Sequence, residues 1–228
     1  MAMAANALVI MTKAPEAGQS KTRLVPPLSY EEAAGLARAL LLDQFRNLAK
    51  FSAAHLFTAF TPKTSARFFG GFGPQGFSSF LQQGETLGER MRHAFEYLFG
   101  RNFHNVILIG GDLPTVPLAF FEQGYASLDR AESDVVLGPS LDGGYYLIGM
   151  NRLIPEIFEG IIWSRNDVLS RTTEKLAGLR INYELLPFWY DIDTLEDLER
   201  LRSQRDFGDD VMKNTMALLH EFRRTGRL

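Results

Sequence analysis

Val106-Ile107-Leu108-Ile109-Gly110-Gly111-Asp112 is the stretch from which the fold can be read. Four consecutive β-branched or leucine residues without polar alternation describe a strand buried on both faces. Two glycines and a carboxylate follow at its end. Such a strand belongs in a parallel sheet covered by helices on both sides. The sequence on either side keeps the same rhythm. Residues 7–11 and 54–60 read as strands. Between them Ser29 and Glu32 form a capping box that opens a long helix to about Lys50, with Ala34, Ala37, Leu41, Phe45 and Leu48 at helical spacing. Residues 62–70 read as a short helix, 70–76 as a glycine-rich loop, 77–81 as a short strand and 87–99 as a helix. Beyond the central stretch, 117–128 is helical with Pro117 in the first turn, and 135–137 and 145–149 are strands around a Gly143-Gly144 turn. Residues 166–179 are helical, 181–186 a strand, 194–202 a helix and 209–224 a further helix. The expectation is an α/β fold: a three-layer α/β/α arrangement around a mainly parallel, mixed central sheet.

The length of 228 residues suits one domain of this kind, spanning 1–228. With 24 Lys and Arg against 27 Asp and Glu, the net charge of −3 carries no footprint of a nucleic-acid binder, although a local cluster of cations remains possible. The absence of cysteine excludes disulfides, thiolate metal sites and cysteine catalysis. Residues 1–11 are apolar but have no Lys or Arg ahead of the apolar run, so they read as a first buried strand rather than a leader. No apolar stretch reaches the ~18 residues of a membrane span. The expected location is cytoplasmic.

A sheet of this type presents ligands at the carboxyl ends of its strands, so the loops there matter most. The first, Lys13-Ala14-Pro15-Glu16-Ala17-Gly18-Gln19-Ser20-Lys21-Thr22-Arg23, holds three cations beside backbone amides able to cradle phosphate. It is neither a Walker A loop nor a GxGxxG loop; read alone, it is equally a solvated basic surface. The second, Gly110-Gly111-Asp112-Leu113-Pro114, places a carboxylate where a metal and a phosphate can meet, or where it simply caps a turn. The third, Asp142-Gly143-Gly144-Tyr145-Tyr146, is a good tight turn whose functional version binds a sugar or acceptor group. In the fourth, Asp191-Ile192-Asp193-Thr194, either Asp193 or Thr194 can cap the next helix while another carboxylate points into the site. A phosphatase of the Asp-x-Asp-x-Thr type is disfavoured by Leu195 in the fifth position. The four histidines lack ligand spacing, and no Gly-x-Ser-x-Gly elbow is present.

Taken in order, Lys13-Ala14-Pro15-x-x-Gly18-x-x-Lys21-Thr22-Arg23-Leu24, Gly111-Asp112-x-Pro114, Gly138-Pro139-x-x-Asp142-Gly143-Gly144-Tyr145-Tyr146-Leu147-Ile148-Gly149, Trp163-Ser164 and Asp191-Ile192-Asp193-Thr194 resemble the DUF2064 family. That family belongs to the nucleotide-diphospho-sugar transferase superfamily, which has the GT-A fold. The resemblance runs from Leu8 to about Leu201. It implies a nucleotide-binding half (1–112), an acceptor or sugar half (113–202) and a helical tail (203–228). It implies that Lys13, Gly18, Lys21, Thr22 and Arg23 contact nucleotide phosphates, with Lys21, Arg23 and Asp112 catalytic. It implies Mg²⁺ or Mn²⁺ held by Asp112 and by Asp193, with Asp191 competing for the second place. Asp142, Gly143, Gly144 and Tyr145 would face the acceptor or sugar. The chain lacks a full Asp-x-Asp after the central strand. The resemblance implies metal-dependent glycosyl transfer from a nucleotide-sugar; nucleotidyl transfer from a nucleoside triphosphate with pyrophosphate release, and nucleotide binding without catalysis, stay open as alternatives. The acceptor and the oligomeric state also stay open.

Overall fold

The computed structural model describes residues 5–72, 76–130, 133–203 and 210–228. The elements run β1 (Asn6–Lys13), α1 (Tyr30–Leu48), β2 (His55–Thr61), α2 (Ala66–Phe72), β3 (Phe77–Leu81), α3 (Leu87–Phe99), β4 (Asn105–Gly110), α4 (Leu118–Asp129), β5 (Val135–Pro139), β6 (Tyr145–Met150), α5 (Val168–Gly178), β7 (Tyr183–Leu185), α6 (Leu195–Ser203) and α7 (Lys213–Arg224). They form a seven-stranded sheet in the order β3-β2-β1-β4-β6-β5-β7. β1 pairs in parallel with both β2 and β4, whereas β6 is antiparallel to β4 and β5. The expected mainly parallel, mixed sheet is therefore present, and its mixed character comes from β6.

Alternation along the central strands explains the layers. Leu8 and Ile10 of β1 and Ile107 and Ile109 of β4 pack with Leu41 and Phe45 of α1 and Phe121 and Tyr125 of α4. Ala7 and Val9, with Val106 and Leu108, pack on the opposite face against Met91, Phe95 and Leu98 of α3 and Leu176 of α5. Each fully buried Val, Leu, Ile or Phe side chain of this set stabilises the fold by about 1.5–3 kcal/mol relative to exposure. No helix among the described residues is long and apolar enough to cross a membrane.

Most helix boundaries follow local chemistry. Ser29 and Glu32 make the expected capping box on α1, and Thr86 with Glu89 makes a second one on α3 that the sequence reading did not include. Several boundaries differ from expectation. Pro117 is the N-cap of α4, outside the helix, because its ψ of 134° is extended. The short helix expected at 62–70 is a 3-10 turn at Lys63–Ser65 followed by α2, which runs on into the expected glycine loop. The loop expected at 12–28 contains a 3-10 turn at Thr22–Leu24, and β1 extends through Lys13. Residues 1–4 of the opening apolar run, 73–75 of the glycine loop and 204–209 of the tail lie outside the described residues.

The C-terminal helix is tied to the first one by a buried carboxylate. Asp43 of α1 is fully buried. Its Oδ1 accepts from the backbone N–H and side-chain amide of Asn214 at 3.0 and 2.7 Å, and its Oδ2 accepts from the Thr215 N–H at 2.8 Å. The two backbone N–H groups are first-turn donors of α7, which have no partner within their own helix. Asp43→Ala leaves them unpaired in a buried place and is expected to cost about 2–4 kcal/mol. Urea unfolding measures this; a loss below about 0.5 kcal/mol would show that the carboxylate does not hold α7.

Candidate functional site

β1 lies between β2 and β4, so the chain leaves β1 towards one side of the sheet and later returns to the other. The carboxyl ends of β1 and β4 flank this reversal, the place where open α/β sheets leave a crevice. Two loops meet there. After β1, the N–H groups of Gln19 and Ser20 both donate to the Glu16 carbonyl at 3.1 Å, and the Glu16 N–H donates to Ser20 Oγ at 3.2 Å. Gly18 supplies the positive φ of 75° that this turn requires. Lys21 then takes a left-handed conformation (φ 51°, ψ 37°) ahead of the 3-10 turn, where Leu24 is buried. A non-glycine residue in that region costs about 1 kcal/mol or more, so its surroundings must hold it.

After β4, one amide from α1 fixes the turn that carries Asp112. Gln44 is almost fully buried. Its Nε2 donates to the Gly110 carbonyl at 2.7 Å, and its Oε1 accepts from the Leu113 N–H at 3.2 Å. Gly111 lets this turn close on β1: a Cβ there would sit 2.6 Å from Thr12 Oγ1. The third contributor arrives from the segment before α6. Thr194 and Asp197 cap α6 reciprocally: the Asp197 N–H donates to Thr194 Oγ1 at 3.2 Å, and the Thr194 N–H donates to Asp197 Oδ2 at 2.9 Å. Capping thus falls to Thr194, which frees the Asp193 carboxylate.

Lys21 joins these pieces. Its Nζ lies 2.5 Å from Asp112 Oδ2 and 2.6 Å from Asp193 Oδ1, and its side chain is 6% exposed. Burial alone would lower its pKa, but Asp112 and Asp193 outweigh that and hold the ammonium above the ordinary lysine value. Arg23 lies on the rim, largely exposed, 3.7 Å from the second Asp193 oxygen. Around Lys21 opens a cavity of about 280 Å³ lined by Thr12, Lys13, Gln19, Gly111, Asp112 and Asp193, among others. A second cavity, also of about 280 Å³, is lined by Leu87, Met91, Asp142, Tyr145, Trp163 and Asp191. Met11 and Gly110 line both, so the ends of β1 and β4 form a shared wall. Asp193 and Asp191, two residues apart, therefore serve different cavities.

The Asp142-Gly143-Gly144 segment is both turn and lining. Asp142 Oδ1 accepts from the Gly144 N–H at 3.0 Å. Gly143, at φ 88°, packs behind the cavity, where a Cβ would stand 2.0 Å from the Asn166 carbonyl oxygen. Gly18, Thr22 and Arg23 are not in the lining of the first cavity, whereas Lys13 and Lys21 are. Trp163, which packs on Gly88, and Gln44 were not among the expected site residues. Gln44 was detectable as a polar side chain at i+3 from Leu41 on the apolar stripe of α1.

Among the described residues no group of three or more His, Cys, Asp or Glu side chains is placed to hold a metal. Asp112 and Asp193 nevertheless fit a hard divalent cation. Their oxygens already converge on one cationic centre, and both open onto a cavity where phosphate and water can complete the shell.

Asp191 behaves differently. Its carboxyl is pushed well above the usual range, first by burial and then by Asp112, with Asp193 and Asp142 adding to the effect and Lys21 opposing it. Because the folded pKa exceeds the unfolded one, the folded state binds the proton more tightly. The resulting stabilisation is present at low pH and is lost as pH rises from about 4 towards the raised value. Asp191→Asn is expected to flatten that decline and to raise the melting temperature at neutral pH. Melting curves across pH check this, and parallel profiles for the two proteins would contradict it.

Comparisons with known proteins bear on the family and the fold. The DUF2064 family model, described as an uncharacterized protein conserved in bacteria, matches residues 44–165, more than half of the chain. A Desulfovibrio desulfuricans G20 protein, described (itself by inference) as a nucleotide-diphospho-sugar transferase, is 34% identical. That match covers 97% of this chain and 96% of the other, with a TM-score of 0.87. CMP:2-keto-3-deoxy-manno-octonic acid synthetase, solved with CTP, is 12% identical over 87% of this chain and 97% of its own, with a TM-score of 0.58. Rv0371c from Mycobacterium tuberculosis H37Rv, solved with manganese, is 14% identical over 88% and 100%, with a TM-score of 0.53. At these lower identities the likeness is one of fold. No curated protein matches the chain in sequence. The chain belongs to the DUF2064 family and has the fold of the nucleotide-diphospho-sugar transferases.

Proposed function

We propose that the protein is a metal-dependent transferase that takes a nucleotide-sugar in the first cavity and passes the glycosyl group to an acceptor in the second. The observation that carries this reading is the convergence of Lys21, Asp112 and Asp193 at the β1/β4 crevice, beside a second cavity that shares its wall. The half formed by 1–112 holds the nucleotide and 113–202 holds the acceptor; within the tail, 203–228, α7 braces α1. Lys13 and Lys21 face the phosphates, with Arg23 at the rim. Asp112 and Asp193 would hold Mg²⁺ or Mn²⁺, which when bound would neutralise phosphate charge and steady the leaving diphosphate. The manganese-bound neighbour of the same fold supports that choice of ion. Asp142, Gly144 and Tyr145 line the acceptor side, with Trp163 as an apolar platform. The acceptor oxygen bonds to the anomeric carbon, the carbon–oxygen bond to the diphosphate breaks, and its electron pair leaves with the nucleoside diphosphate. A carboxylate of the second cavity takes the acceptor's proton.

A second reading is nucleotidyl transfer. Two carboxylates from separate segments, without an Asp-x-Asp after β4, suit a nucleoside triphosphate equally well. The CTP-bound synthetase of the same fold supports this alternative.

A thermal-shift series with nucleoside triphosphates and nucleotide-sugars, with and without Mg²⁺ or Mn²⁺, tests both. A specific nucleotide at a hundredfold excess over its Kd should stabilise the protein by about 2.7 kcal/mol. Asp112→Asn should remove the metal-dependent part of that gain. If no nucleotide stabilises the protein with any metal, both readings fail. Release of a nucleoside diphosphate supports glycosyl transfer and release of pyrophosphate supports nucleotidyl transfer. Tight binding without turnover leaves a nucleotide-binding protein.

A further inference from the structure

The cation between Asp112 and Asp193 is supplied by the chain itself. Lys21 Nζ is within 2.6 Å of a carboxylate oxygen on each, at the end of a side chain almost withdrawn from water. Its left-handed backbone aims the side chain inward, away from the exposed rim occupied by Arg23. Two carboxylates drawn this close repel one another unless a positive charge lies between them. A lysine ammonium and a hydrated divalent ion compete for that place, because the oxygens that bind one are the oxygens that bind the other.

We infer that Lys21 is the placeholder for the divalent cation: the metal enters only as the Lys21 ammonium transfers to the phosphate of an arriving nucleotide. This rests on the metal–nucleotide reading above. The charged side chains lining the first cavity are Lys13, Lys21, Asp112 and Asp193. A metal that took both carboxylates without a nucleotide would leave Lys21 in that cavity with no carboxylate of its own, facing a doubly charged ion and Lys13. Displacing a buried ammonium to such a position is costly. A bound phosphate changes the balance by giving Lys21 a new anionic partner and giving the metal further oxygens. Metal and nucleotide therefore bind cooperatively, and the coupling is reciprocal. The arrangement keeps a free metal ion from occupying the site unproductively, and it turns one lysine from a structural countercharge into a phosphate ligand.

Mn²⁺ alone, followed through the electron paramagnetic resonance of the free ion, is the direct probe. Lys21→Met should bind Mn²⁺ without nucleotide roughly tenfold or more tightly than the wild type. Lys21→Arg keeps the positive charge and should stay as weak as the wild type. The wild-type protein supplies a measurement that depends on no variant folding. Mn²⁺ by itself should leave its melting temperature unchanged at a concentration where Mn²⁺ adds clearly to the shift given by a nucleotide. The inference is overturned, with the site reading intact, if Lys21→Met binds Mn²⁺ no better than the wild type while Mn²⁺ still enhances nucleotide binding. It is equally overturned if Mn²⁺ alone stabilises the wild type as much as it does with nucleotide. If Mn²⁺ has no effect with or without nucleotide in any of the proteins, the metal reading itself falls.

Discussion

One buried ammonium between two carboxylates holds the candidate site together. Asp112 lies in the turn after β4, Asp193 lies in the segment before α6, and Lys21 belongs to the loop after β1. Three parts of the chain separated by up to 172 residues are thereby fixed within hydrogen-bond distance. Ion groups of this kind are poor sources of stability, because desolvating the charges offsets most of the attraction. Packing of apolar groups would stabilise the fold better at the same place. The surrounding structure instead preserves the charges: Gln44 clamps both ends of the Asp112 turn, Gly111 keeps a side chain out of the gap to Thr12, and Thr194 with Asp197 relieves Asp193 of capping duty.

The sheet order makes that meeting possible. Parallel strands β2, β1 and β4 send their carboxyl ends to one edge, where the two loops converge. The antiparallel strand β6 then brings the Asp142-Gly143-Gly144 turn to the same edge from the opposite direction, which builds the second cavity beside the first. The apolar core on each face keeps the strand ends in register and leaves the loops to carry the polar work. The outer cluster formed by Leu36, Leu40, Leu198, Leu219 and Phe222 ties α6 and α7 to α1, the helix that also carries Gln44.

Much of this was legible in the sequence, for physical reasons that differ by element. The run Val106–Ile109 announces a doubly buried strand because no residue in it tolerates water on either side. Ser29 and Glu32 announce a helix start because their side chains satisfy the free amides at that end. Lys21, Asp112 and Asp193 could each be singled out, but not their direct contact, which depends on a left-handed backbone at Lys21 that lysine rarely adopts. The choice between Asp191 and Asp193 was also closed to sequence reasoning. Residues two apart on a strand share a face, yet these two line different cavities, because the chain between Trp189 and the start of α6 is irregular and turned by the Thr194 cap. Gln44 was missed because a glutamine inside a helix is ordinary; only its place on the apolar stripe sets it apart.

Crystals soaked with Mn²⁺ and the nucleotide that stabilises the protein most would test the central claim directly, because the anomalous signal locates the ion. The account predicts a peak within coordinating distance of the Asp112 and Asp193 carboxylate oxygens, with Lys21 turned onto a phosphate. A peak elsewhere, or a bound nucleotide with Lys21 still bridging the two carboxylates, would contradict it.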